Sequence, residues 1–82
     1  MEKKDIFKKL IENINSPDNY KAIVEHKNGD LIGDFKFESV ENNGSKTYLI
    51  GYPVNSKEDY VNFDSETLES YSCRIRDVIF LN

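Results

Sequence analysis

Arg74 and Arg76 are separated by one residue, the spacing that puts two side chains on one face of a strand. Two parallel guanidiniums each offer bidentate donors, a combination suited to a phosphate or a carboxylate. The competing expectation is that they pair internally with Glu66, Glu69 or Asp77. Tyr48 and Tyr52 would add stacking surface to such an anion site, or platforms for nucleic-acid bases. They share their strand parity with Ile50, so a place in the core is the alternative for both.

A second group is acidic. From Glu58 to Glu69 the chain carries five acids and no base, around the short apolar piece Tyr60-Val61-Asn62-Phe63. Glu58, Asp59, Tyr60, Asp64, Glu66 and Glu69 are therefore candidates for a partner-binding face. Carboxylates interleaved with aromatic rings can mimic a nucleic-acid backbone or dock on a basic groove, as small inhibitor proteins of phage origin do, and complementary charge speeds encounter. The alternative is a hydrated loop that keeps the protein soluble. Catalysis has little to work with. His26 has no nucleophile beside it in sequence, and only Cys73 could be brought near, at a position whose alternation with Tyr71 and Ile75 suggests burial. One Cys and one His make no zinc set, and no EF-hand pattern accompanies the acids. The expectation is a non-enzymatic protein with no cofactor and no metal.

These side chains must be positioned by a chain of 82 residues, enough for one domain over residues 1–82. Ten aromatic residues, five Tyr and five Phe, argue for a folded core. The net charge of -4 disfavours general nucleic-acid affinity, which depends on Lys and Arg neutralising phosphates, although Lys3, Lys4, Lys8 and Lys9 gather near the start. The lone Cys73 cannot form an internal disulfide, which points to a reducing cytoplasm. No apolar run approaches the roughly 18 residues of a membrane span.

Ile6, Phe7, Leu10, Ile11 and Ile14 form the stripe of an amphipathic helix over residues 3–15, ended by Asn15-Ser16-Pro17-Asp18. Strands follow. The first covers residues 20–26, with Ala22 and Val24 on one face. Asn28-Gly29 is the preferred pair for a type I′ hairpin turn. The run from Leu31 to Val40 sets Leu31, Phe35 and Phe37 on one face, with Gly33 at a bulge or sharp bend. Asn42-Asn43-Gly44-Ser45 supplies a second turn. Residues 46–54 make a third strand, with Tyr48, Ile50 and Tyr52 on one face and Leu49 and Gly51 on the other. Asp64-Ser65-Glu66-Thr67-Leu68 reads as a capped helical turn or a loop. Between Tyr71 and Leu81 the alternation shifts phase at Arg76-Asp77, which suggests a tight turn or a bulge. The pattern predicts a mainly β, α+β fold: an N-terminal amphipathic helix, then a strongly bent five-stranded antiparallel sheet forming a small SH3/Sm-like barrel over residues 20–81.

Asn28-Gly29-Asp30-Leu31-Ile32-Gly33, followed by Thr47-Tyr48-Leu49-Ile50-Gly51-Tyr52 and by the terminal run Arg74-Ile75-Arg76-Asp77-Val78-Ile79-Phe80-Leu81, resembles the WYL domain of bacterial regulators. Thr47 stands where that domain has its Trp, and Ser70-Tyr71-Ser72 where it has Phe-Arg-Leu. The stretch from Ile23 to Asn43, with Arg74-Ile75-Arg76, also resembles the two Sm motifs, with Val40-Glu41-Asn42 where an Asp is usual before the Asn. The resemblance implies an SH3-type barrel and a ligand-sensing or nucleic-acid-responsive regulatory module of bacterial or phage origin. The expectation is a binding module for a protein partner or a small anionic ligand, with a homo-oligomer as a further expectation. An acidic phage-type inhibitor of a nucleic-acid-binding enzyme is the alternative, and an Sm-like nucleic-acid binder the third.

Overall fold

The structure is a computed structural model that describes residues 2–81. Helix α1 spans Lys3–Glu12 and buries Ile6 and Leu10, with Phe7 and Ile14 packed partly against the core. It stops three residues before the expected end at residue 15. Asn13 is the reason: its side-chain Nδ2 donates to the Lys9 carbonyl at 2.9 Å, the acceptor that its own N–H would take in a continuing helix, while that N–H turns to Leu10 O at 3.1 Å. A short 3₁₀ turn, Pro17–Asn19, then leads into the first strand.

Six strands follow: β1 Tyr20–His26, β2 Leu31–Ile32, β3 Phe35–Asn43, β4 Lys46–Pro53, β5 Val61–Asp64 and β6 Cys73–Phe80. They form two antiparallel three-stranded sheets, ordered β2-β1-β6 and β3-β4-β5. The mainly β class with one helix holds, but the five-stranded bent sheet and the closed barrel do not. The expected second strand is broken at Gly33-Asp34, and its two parts pair with different neighbours: Ile32 with Val24 of β1, Phe35 with Pro53 of β4. No ladder joins β5 to β6. Only an isolated bridge, Glu69 with Arg74, bridges the segment between them.

The turns differ from expectation in detail. A type I′ turn needs positive φ at both central residues, and here only Gly29 has it (φ 97). Lys27, Asn28 and Gly29 instead form a three-residue loop, closed by His26 N donating to Asp30 O at 2.8 Å and Gly29 N to His26 O at 2.8 Å. Between Asn43 and Lys46, Gly44 takes φ 66 at the first of two loop positions, as a type II′ hairpin requires. The phase shift in the last strand is a bulge: Ile23 pairs with Asp77 and Val24 with Ile75, so Arg76 is the extra residue.

Side chains from both sheets meet in one core. Phe35 and Phe37 of β3 and Phe63 of β5 stand 5.4 to 5.9 Å apart by ring centroids, with Phe63 edge-on to the other two. Gly51 of β4 lies beneath them. A Cβ there would come within 2.5 Å of the Lys36 carbonyl oxygen and 2.7 Å of the Phe35 ring, so no other residue fits. The inward face of β4 is thus Leu49 and Gly51. Leu31, expected on the same inward face as Phe35 and Phe37, points outward and is 62% exposed, because the break at Gly33-Asp34 decouples its parity from theirs.

Tyr20 connects the sheets. Its ring lies 6.0 Å from Phe37, and its buried hydroxyl accepts the Phe37 N–H at 2.9 Å; burial pushes the phenol above its ordinary pKa. Tyr20→Phe keeps the ring but orphans that N–H, and an unsatisfied buried donor costs about 1–3 kcal/mol. The denaturant midpoint should fall accordingly with an unchanged m-value; an unaltered midpoint would show that the N–H finds another acceptor.

Candidate functional site

Arg74 and Arg76 do lie on one face, the outer face of β2-β1-β6, and both reach Glu25 of β1. Arg74 Nε donates to Glu25 Oε1 at 2.7 Å, and its Nη2 lies 2.5 Å from the same oxygen; Arg76 Nη1 stands 3.8 Å from Oε2. Glu25 is 7% exposed although it sits on an outward position. Its register explains the pairing: Glu25 and Arg74 are directly opposite, and cross-strand neighbours of opposite charge attract. The partner is therefore not one of the nearby acids Glu66, Glu69 and Asp77. Asp77 Oδ1 accepts the N–H of Val78 at 2.8 Å.

The acidic stretch is ordered and divided. Asp64 belongs to the framework: its Oδ1 accepts the Glu66 and Thr67 N–H groups at 2.8 and 3.2 Å, and its Oδ2 meets Lys46 Nζ at 3.1 Å. The backbone donor of Glu66, then Lys46, then the Thr67 donor hold its carboxyl below the ordinary range, and the same pairing raises Lys46. The turn it caps carries Leu68 into the core at φ 58, and Ile75 N donates to Leu68 O at 2.9 Å. The main chain of Glu69 forms an isolated bridge with Arg74, while its side chain is exposed and in no ion pair among the described residues. Glu58, Asp59 and Glu66 are exposed or partly exposed and appear in no ion pair among the described residues.

The outer face of β3-β4-β5 gathers residues that the linear sequence scatters. Tyr48, Ile50 and Tyr52 of β4 share it, opposite Glu41, Ser39 and Lys36 of β3, and Asp64 and Asn62 of β5 lie across from Tyr48 and Ile50. Ile50 is buried at 8% exposure yet lies outside the main core cluster. Tyr60, just before β5, is 53% exposed and stands edge-to-face with Tyr52, ring centroids 5.7 Å apart and planes at 77°. A bulge between Phe37 and Ser39 turns Glu38 toward this corner, where its Oε1 lies 3.5 Å from the Tyr60 hydroxyl and pushes that phenol above its ordinary pKa. Lys36 is drawn off the face: its Nζ donates to Pro17 O at 2.6 Å and Tyr20 O at 3.0 Å, and lies 4.7 Å over the Tyr20 ring. Glu38, Glu41, Glu58 and Asp59 thus have no ion-pair partner among the described residues.

Glu25, Glu38 and Glu41 are absent from the candidates named by sequence. Glu25 is 49 positions from its Arg partner, and Glu38 owes its place to a bulge that no turn residue marks. His26 and Cys73 are cross-strand neighbours, but the imidazole is exposed while the thiol is buried and paired at 3.2 Å with Ser70 Oγ. Among the described residues no three His, Cys, Asp or Glu side chains are grouped to hold a metal, and no helix is long and apolar enough to cross a membrane. Compared with known proteins, the chain matches no protein-family model, no curated protein and no solved structure.

Two outcomes follow from the paired charges. Arg74→Ala leaves the Glu25 carboxylate with only Arg76 beside it, and should cost about 1–3 kcal/mol in chemical denaturation, the scale of a buried acceptor that loses a partner; the double variant Glu25→Ala, Arg74→Ala should recover part of that loss. Equal destabilisation by the single and the double variant would mean the charges are not coupled. Asp64 favours its charged form in the folded state, so its contribution is complete above the ordinary aspartate pKa of about 3.9 and is lost as pH falls through the lower folded value. Asp64→Asn should therefore lower the melting temperature at neutral pH, with the gap to wild type closing toward about pH 2. A constant gap across that range would assign the effect to shape alone.

Proposed function

We propose that the protein is a non-enzymatic binding module that docks a basic protein partner on the outer face of β3-β4-β5, in a regulatory setting. The observation that carries this reading is the coincidence, on one sheet face, of Tyr48, Ile50, Tyr52 and Tyr60 with Glu38 and Glu41, which are in no ion pair among the described residues. Aromatic side chains supply large contact area at small entropic cost, and Tyr is enriched where proteins bind proteins. Unpaired carboxylates around them select a partner of positive charge and speed its arrival.

The small-anion reading has weaker support. Glu25 already supplies a counter-charge between Arg74 and Arg76, so an anionic ligand would have to compete with a buried carboxylate for the same donors. Inhibition of a nucleic-acid-binding enzyme is the narrower form of docking to a basic surface. It draws on Glu58, Asp59, Tyr60, Glu66 and Glu69, while the Asp64 carboxylate is engaged in the protein's own framework.

Immobilised protein and lysate of the source organism provide the test. Wild type and Arg76→Ala should retain the same basic protein, released by raising the salt, and the double variant Tyr52→Ser, Tyr60→Ser should lose it while keeping its far-ultraviolet circular dichroism. Retention by the tyrosine variant, with loss from Arg76→Ala, would move the binding site to the other sheet and sink the proposal.

A further inference from the structure

The corner formed by Tyr52, Tyr60 and Glu38 has a geometry more specific than a general acidic face. We infer that it is a seat for the guanidinium of an arginine side chain presented by the docking partner, an inference that rests on the docking reading above. Three observations converge on it. The two rings stand at 77° with centroids 5.7 Å apart, and Tyr60 is half exposed, so a cation can reach an aromatic face. A cation within about 6 Å of a tyrosine centroid is attracted by the ring quadrupole. The Glu38 carboxylate lies 3.5 Å from the Tyr60 hydroxyl, at the rim of the same ring.

A planar guanidinium stacked on Tyr60 can turn its N–H edge toward that carboxylate and satisfy both partners at once. A lysine ammonium is a compact charge with no flat face to stack, so it uses the ring and the carboxylate less well together. The seat has no occupant of its own. Lys36, opposite Tyr52 in the ladder, is committed to the Pro17 and Tyr20 carbonyls, and Glu38 is in no ion pair among the described residues. Elsewhere the protein fills this kind of place from within: Lys36 lies 4.7 Å over Tyr20 and Lys9 lies 4.6 Å over Phe80. At the Tyr52–Tyr60 corner the ring and the carboxylate are present, and among the described residues no cation is placed over them.

The test uses the full chain with 13C-labelled tyrosine rings and 15N-labelled amides, titrated with tri-arginine amide, tri-lysine amide and tri-citrulline amide and followed by nuclear magnetic resonance. Tri-arginine should shift the Tyr52 and Tyr60 rings and the Glu38 amide in a saturable way. Tri-lysine should bind more weakly, and uncharged tri-citrulline should leave the corner unmoved. Glu38→Gln and Tyr60→Leu, both at exposed positions, should each weaken tri-arginine binding about three- to fivefold with unchanged circular dichroism. Equal binding of tri-lysine and tri-arginine, or shifts spread evenly over Glu58, Asp59 and Glu66, would overturn the seat. If tri-arginine fails while the partner is still captured through Tyr52 and Tyr60, the seat is wrong and the docking face stands; if both fail, both are wrong.

Discussion

Tyr20 holds the architecture together from both ends of its side chain. Its ring packs against Phe37, and its hydroxyl satisfies the main chain of the same residue, so the first strand of one sheet is fastened to the first strand of the other. The two three-stranded sheets share no ladder: apart from main-chain bonds between β6 and the Leu68–Glu69 turn, side chains set their relative position. Apolar packing alone is non-directional and tolerates sliding. A buried hydrogen bond from a specific N–H to a phenol oxygen does not, because displacement leaves both groups unpaired in a medium where that is costly. Lys36 reinforces the joint from outside, bonding the Tyr20 carbonyl and lying over the Tyr20 ring.

That same use of Lys36 shapes the outer surface. A lysine in register with Tyr52 would otherwise neutralise the carboxylates of its own face. Drawn away to stabilise the joint between sheets, it leaves the tyrosines surrounded by uncompensated acids. On the other sheet the buried Glu25 carboxylate is met from within, by Arg74 and Arg76. The two outer faces thus differ: one pairs its buried carboxylate with arginines of its own, and the other carries Glu38 and Glu41 in no ion pair among the described residues. A net charge of -4 conveys nothing of this division.

Local features of the fold were legible in the sequence wherever a local rule governs them. Of the stripe Ile6, Phe7, Leu10, Ile11 and Ile14, the first three mark the inner side of α1, while Ile11 is exposed and Ile14 follows the helix; Tyr20–His26 is the strand its alternation indicates, and the turns fall at Gly29 and Gly44. The phase shift at Arg76-Asp77 is a real bulge. What local rules could not supply is partnership. Gly33 marks a break, but whether the chain bends within one sheet or leaves it for another depends on what Asp34 and Phe35 meet: Asp34 O accepts the Val54 N–H, and Phe35 pairs with Pro53 and is buried in the core. On β4 both parities carry apolar residues, and the need of the phenylalanine cluster for a residue without a Cβ turned Gly51 inward and the tyrosines outward. The candidate site follows the same division: Tyr52 and Tyr60 were visible as residues, while Glu38 reaches them through an irregularity in strand pairing.

The pairing of β1 with β6 has a consequence for how the protein is made. Tyr20 lies opposite Phe80, so the central strand of the first sheet waits for sixty residues of chain before its main partner exists. The β3-β4-β5 hairpins need only their immediate neighbours in sequence, and closing short loops is faster than closing long ones. On the ribosome, the tyrosine-bearing sheet can therefore pair while β1 still lacks β6, and during that interval the apolar faces of both sheets are open to solvent and to chaperones. Synthesis, more than the finished structure, is the stage at which this chain is most exposed to misassembly.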